Sequence, residues 1–176
     1  ASTGVVYFTI QSGVDTAVTG NVLHVVASPY VAWGEAVNMS RKTNVILAGR
    51  SFVHGGGSTN ERISPISGNG ISMTDNAGVR VRGMTIYGSG AYGVALGGNS
   101  TGNDVASCVM YSNASGGVFI VGVNADGNRV VSNTIRGPGQ TYGVRIDDGD
   151  GNVVTNNVLM RHGTAGVYMS LTAGSN

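Results

Sequence analysis

GVFIVGVNADGNRVVSNTI, residues 117–135, and GVRIDDGDGNVVTNNVLM, residues 143–160, are two renderings of one pattern. A glycine is followed by two apolar residues one position apart, then by a Gly-Asn pair, then by a valine and a further apolar residue five positions on. The opening recurs as Gly70-Ile71-Met73, Gly93-Val94-Leu96, Gly117-Val118-Ile120, Gly143-Val144-Ile146 and Gly166-Val167-Met169, at spacings of 23, 24, 26 and 23. A second set of glycines, Gly78, Gly102, Gly127 and Gly151, keeps step with it. From each of these the valine (Val81, Val105, Val130, Val154) stands three residues on, and the second apolar residue (Ile86, Met110, Ile135, Leu159) eight. The gap between the two glycine sets varies from 8 to 10 while the later stretch stays at 8. Turns vary and strands do not, as in a solenoid whose coils stack on one another.

Alternating Val and Ile in runs of three to five, bounded by Gly and Asn, read as short strands rather than helices. About 24 residues per coil allow two or three strands in each. Between the apolar columns runs a further one, Met84, Cys108, Asn133 and Asn157, whose last two members are placed to bond side chain to side chain between coils. Asparagine also tolerates positive φ, which suits a turn.

Outward from these repeats, composition narrows the classes. Among 176 residues there are 30 glycines, 26 valines and 16 asparagines but one lysine, Lys42, and charged residues make up 11%. That excludes helical bundles and coiled coils, and 41% apolar content excludes a disordered chain. No run approaches 18 apolar residues, so no membrane span is expected, and ten basic against nine acidic groups give no field for nucleic acid. Cys108 is the only cysteine and reads as a buried small hydrophobe. The opening at Ala1 agrees with an expected extracellular or cell-surface location, whereas the sequons at Asn38, Asn99 and Asn113 are expected by chance in a chain this rich in Asn, Ser and Thr.

The two quoted segments resemble the right-handed parallel β-helix family, the pectate-lyase-like superfold, strongly over residues 70–170. The resemblance implies an all-β, single-chain, right-handed parallel β-helix of six to seven coils, one domain over 1–176. Residues 1–50 read as an amino-terminal cap and first coils, 51–69 as a protruding loop rich in Gly, Ser and Pro, and 70–176 as regular coils. Ile10, Val14, Ala17 and Val18 share one helical face, with Gly20 as its C-cap, and predict a short amphipathic helix over the first coil.

The superfold hosts polysaccharide lyases, epimerases and hydrolases as well as adhesins, so residues must choose. Asn124-Ala125-Asp126, Asp147-Asp148 and His162-Gly163 are similar in part to the polygalacturonase set. However, Asp126 lies nine residues after Gly117 and Asp147 four after Gly143, on different edges of the coil; Arg161 replaces a glycine, and the Arg-x-Lys is missing. A lyase or epimerase needs a base and cations for the uronate carboxylate, and Arg145, Asp147, Asp148 and His162 are the candidates. Asp126 and Asp150 share the column Ala77, Thr101, Asp126, Asp150, where like charges repel unless turn amides or a cation compensate. Calcium there is the one metal alternative to an expectation of no cofactor, and Leu159 at position twelve excludes an EF-hand.

Two outward columns, Tyr87, Tyr111, Arg136 and Phe119, Arg145, Tyr168, read as a face for a glycan or a partner protein. Val167, Met169 and Leu171 line a carboxyl end with no cap after them, an edge expected to be covered by copies of the protein or by a larger parent chain. The function expected is structural or adhesive, by end-to-end self-assembly or glycan contact. The alternative is a carbohydrate-active enzyme on acidic polysaccharide.

Overall fold

The computed structural model describes residues 6–26, 32–49, 61–170 and 176. They form an all-parallel solenoid of about six turns with one short helix at its amino-terminal end. Each coil contributes a strand to each of three sheets. Sheet A holds Val22–Val25, Ile46–Gly49, Arg80–Arg82, Asp104–Ala106, Arg129–Val131 and Val153–Thr155. Sheet B holds Arg62–Ile63, Thr85–Tyr87, Val109–Tyr111, Thr134–Arg136 and Val158–Met160. Sheet C holds Val37–Asn38, Ile71–Thr74, Tyr92–Gly97, Gly116–Ile120, Tyr142–Ile146 and Ala165–Met169.

The inward columns expected from the repeat are the registers observed. Leu47, Val81, Val105, Val130 and Val154 pair in turn in sheet A. Ile63, Ile86, Met110, Ile135 and Leu159 do so in sheet B, and Ile71, Val94, Val118, Val144 and Val167 in sheet C. Parallel strands leave no room for local hairpin pairing, so the apolar face of each strand reaches a core only through the coil above and below. Burying each such Val or Ile contributes about 1.5–3 kcal/mol.

Two files of buried asparagines tie the turns. Asn103 donates its backbone N–H and its Nδ2 to Asn128 Oδ1 at 3.0 and 2.9 Å, and Asn128 repeats this toward Asn152 Oδ1 at 2.9 and 3.1 Å. The backbone N–H of Asn152 donates in turn to Asn176 Oδ1 at 2.7 Å. The second file is Asn133 and Asn157, joined side chain to side chain at 3.0 Å, as the column in the sequence predicts. The positive φ expected of asparagine is taken by Asn44 at 50° and by Asn156, and not by the file members themselves. Ser107, Ser132 and Asn156, each one residue before the file, take φ of 54°, 56° and 55°. The file members serve through their amides.

Two boundaries differ from expectation. The helix (α1, Ile10–Thr16) buries Ile10, Val14 and the following Ala17, but it stops before Gly20 because Ala17 turns extended, and Val18 is 66% exposed. Its first turn is closed by Thr9 and by the Glu35 carboxylate, which accepts from the Ile10 and Gln11 N–H groups at 2.7 and 3.0 Å. The loop expected over 51–69 is shorter at its carboxyl side: Arg62–Ile63 pairs with Thr85 and Ile86, and Trp33 bridges to Ile63. Ile63 is a core residue with no exposure, which outweighs the Gly and Ser content around it. Residues 51–60 and Leu171 lie outside the described residues.

Replacing Val144 with Asp buries an unpaired carboxylate in the sheet C column and should abolish the cooperative melt followed by circular dichroism. Asn128→Ala should lower unfolding free energy by about 2–3 kcal/mol by orphaning buried amides, whereas Asn124→Ala, at an exposed side-chain pair, should change it by less than about 0.5 kcal/mol.

Candidate functional site

On a solenoid the outward residues stack in columns too, so exterior chemistry comes as ladders. On sheet C, Phe119, Arg145 and Tyr168 occupy paired positions in consecutive coils, as the sequence predicts. A second column beside it adds Tyr92 and Tyr142, which sequence reasoning missed although both stand directly before a marker glycine. Tyr92 and Phe119 stack with centroids 4.7 Å apart, and Tyr142 and Tyr168 meet at 5.2 Å, tilted by 44°. The Arg145 guanidinium lies 5.2 Å from the Phe119 ring, 5.3 Å from Tyr142 and 5.7 Å from Tyr168, all within cation–π range.

Arg145 is held at its other edge by Asp147. The bond is bidentate, Nε to Oδ1 at 2.7 Å and Nη2 to Oδ2 at 2.6 Å. Two residues apart on one strand end, the pair shares a face, and the Asp147 carboxylate raises the guanidinium pKa above its ordinary value. Burial raises the phenol of Tyr92 against the lowering effect of Arg145. Both carboxylate oxygens of Asp147 are thus engaged by a cation, an arrangement that fixes Arg145 among the rings.

The four candidates for catalysis are not one cluster. Arg145 and Asp147 are joined, and Asp148 follows at the corner where sheet C leads to sheet A. His162 stands at the opposite end of the sheet C strands, in the turn entering them, where its imidazole packs against Gly143. No hydrogen bond or ion pair links it to Arg145 or Asp147 among the described residues. Both of its ring nitrogens are shielded from solvent, and burial lowers its pKa below the ordinary value.

Asp126 and Asp150 are neighbours in their column, and Asp126 Oδ1 accepts the Asp150 backbone N–H at 2.8 Å. The turn amide thereby compensates the stacked carboxylates. No group of three or more His, Cys, Asp or Glu able to hold a metal ion occurs among the described residues. On sheet B, Tyr87 and Tyr111 stack at 4.9 Å and 5°, with the Arg136 guanidinium 5.7 Å over Tyr111. Their ring faces are turned to one another, and the ring edges face outward. Of the sequon asparagines, Asn113 is buried and accepts the Ser89 N–H at 3.0 Å, while Asn38 and Asn99 are exposed.

With the coils, files and ladders in place, one comparison decides the family: the model described as "Right handed beta helix region" matches residues 31–176. The chain belongs to the right-handed β-helix family. No curated protein and no solved structure is matched. Among the described residues of this β-helix no helix is long and apolar enough to cross a membrane.

Two titrations check the placement. Burial disfavours the charged form of His162 in the fold, so its contribution to stability is full above the ordinary histidine value of about 6.5 and is lost as pH falls below it toward the depressed folded value. The β-helix should therefore melt lower at pH 5 than at pH 7, and His162→Gln should flatten that part of the profile. Cys108, fully buried and pushed up to about 12, should resist thiol reagents at pH 8 until the protein is unfolded.

Proposed function

We propose that the protein is a structural or adhesive β-helix of the cell exterior, in which the face of a coil rather than a cleft carries the interaction. The family fold is consistent with surface and carbohydrate-related proteins. The observation that carries this reading is the last coil. Val167 and Met169 are each 43% exposed, whereas Val144 and Ile146, the residues they pair with one coil earlier, are 0% and 1% exposed.

Among the described residues, Val153–Thr155, Val158–Met160 and Ala165–Met169 of the same coil stand at the ends of their sheets, three parallel strands in register. Asn176 already occupies the next rung of the asparagine file. The complement of such a face is another β-helical coil, which would continue all three ladders and cover the apolar cross-section. A second copy or further coils of one polypeptide would supply the same chemistry. Glycan contact is the companion reading for the aromatic ladders of sheets B and C.

The rival, a lyase or epimerase on acidic polysaccharide, draws on Arg145 among its aromatic rings. There the cation for a uronate carboxylate would have to be released first by Asp147. If wild-type protein forms unsaturated product from uronate polymers and Arg145→Ala does not, the enzyme reading replaces the structural one.

For the coil face, sedimentation of the 176-residue chain should show concentration-dependent association. Glutamates at Val167 and Met169 should weaken it by at least about tenfold, equivalent to about 1.4 kcal/mol, without lowering the melting temperature of the dilute, unassociated protein. A monodisperse wild-type monomer at high concentration, with Met169 oxidised by peroxide as fast as a free methionine, defeats the proposal.

A further inference from the structure

The turn from sheet B into sheet C has one length in three coils and another in a fourth. From the inward residue of sheet B to the next marker glycine the spacing is 7 for Ile86 to Gly93, Met110 to Gly117 and Leu159 to Gly166, but 8 for Ile135 to Gly143. The extra residue falls in Gly137-Pro138-Gly139-Gln140, where Gly137 and Gly139 take φ of 141° and 97°. Gly137 and Pro138 of this longer turn line a hollow of about 460 Å³ on the side of the stack, which reaches across three coils from Tyr111 and Ser112 to Met160 and Arg161.

Two cations border this hollow. Arg136 and Arg161 are exposed, and neither forms an ion pair among the described residues. The Arg136 guanidinium rests 5.7 Å from the Tyr111 ring, a contact through its face that leaves its N–H edges for a ligand. Met160 pairs with Arg136 in the sheet B ladder, so Arg161 stands one residue past that partner. Arg161 has φ 60°, two residues after the inward column, where Gly88, Ser112 and Gly137 stand in the other coils. Left-handed backbone costs a long side chain free energy that glycine is spared, and no ion pair of Arg161 offsets it. Residues 109–115, 134–141 and 158–164, the strands and turns around the hollow, contain no Asp or Glu.

We propose that the hollow binds a small phosphate monoester, with the phosphate group between Arg136 and Arg161 and the organic body against Pro138 and Met160. Two guanidinium forks bring two positive charges and paired N–H donors. A phosphate monoester near neutral pH carries a charge of about −1.5 to −2 and has three terminal acceptor oxygens, so it matches both forks at once. A uronate carboxylate has one negative charge and two oxygens, enough for one fork, and leaves the other arginine uncompensated. Pro138 and Met160 are exposed and give the apolar surface that an organic body needs, with the Ser112 hydroxyl beside them. This site lies on the side of the stack and rests neither on the coil face of the last turn nor on glycan contact at the ring edges.

Chemical-shift titration of the whole chain by NMR, with glucose 6-phosphate and phenyl phosphate as probes, tests the site. At least one of the two should saturate with Kd of about 1 mM or tighter and shift resonances of residues 111–112, 136–138 and 160–161. Glucuronate, glucose and inorganic phosphate should each bind at least about tenfold more weakly than that ester, the first two for want of the dianion and the third for want of the body. R161G puts glycine back at a left-handed position, so it should melt at or above the wild-type temperature while binding the ester at least about tenfold more weakly. R136Q, at an exposed side chain, should melt close to wild type and lose affinity to a similar degree. Saturation by neither ester, equal affinity for glucuronate or for inorganic phosphate, or unchanged affinity in both variants overturns the proposal. Glutamates at Val167 and Met169 should leave ester binding as in wild type, which keeps failure here distinct from failure of the coil face.

Discussion

The backbone of each coil has its hydrogen-bond partners in the coils above and below, and nearly every other feature of the molecule answers to that constraint. Strands of two to six residues are too short to hold together alone, yet each strand inside a sheet is fixed on two sides by parallel neighbours in register. The turns cannot use the sheet ladders, and buried turn amides left unpaired would cost about 1–3 kcal/mol apiece. The asparagine files meet that need because one carboxamide both accepts from the coil before and donates to a carbonyl of that same coil. Asn128 shows both: its Oδ1 takes two bonds from Asn103, and its Nδ2 reaches Ser100 O at 2.8 Å. Aspartate could accept there but could not donate, and leucine could do neither.

Stacking at one strand spacing also governs the surface. Any side chain meets its equivalent at a distance where rings touch and like charges repel, so the exterior has few workable columns. Aromatic rings can stack, as Tyr87 does on Tyr111, and a guanidinium can end or interrupt the stack, as Arg136 and Arg145 do. Carboxylates persist where a turn amide lies between them, as at Asp126 and Asp150, or where an arginine two residues away on the same face neutralises them, as at Asp147. An exterior arranged this way is first a stabilising structure, and what it binds must meet ring edges, guanidinium edges or corner charges.

The core was legible in the sequence because fixed offsets of three and eight residues from the second glycine leave each inward column only one register, and Val81 through Val154 and Ile86 through Leu159 fall into them. Arg62–Ile63 was not legible, since a strand of two residues makes no alternation and only its pairing with Thr85 and Ile86 defines it. Val18 misled for a related reason: helical spacing carries no account of where the chain must leave the helix to enter sheet A. Of the exterior, the columns could be read but not their chemistry. Phe119, Arg145 and Tyr168 follow from periodicity, whereas the bidentate hold of Asp147 on Arg145 depends on rotamers that many strand ends of the same composition would not adopt. His162 and Asp147 were grouped because they are close in sequence, and the coil sends them to opposite ends of sheet C.

In a solenoid each coil has only its neighbours to lean on, so stability is set locally, and the coil that ends in Ala165–Met169 has a described neighbour on one side only. Leu159 and Val154 are only partly buried there, where their predecessors Ile135 and Val130 are sealed. The half-buried His162, whose pKa burial lowers, lies in this same coil, so acid that charges it acts on the turn with the least apolar burial to oppose the change. A further coil laid on this face would seal Val154, Leu159, Val167 and Met169 together. It would thereby raise the free energy needed to open the turn that holds His162, so covering the end and resisting acid become one property of the stack.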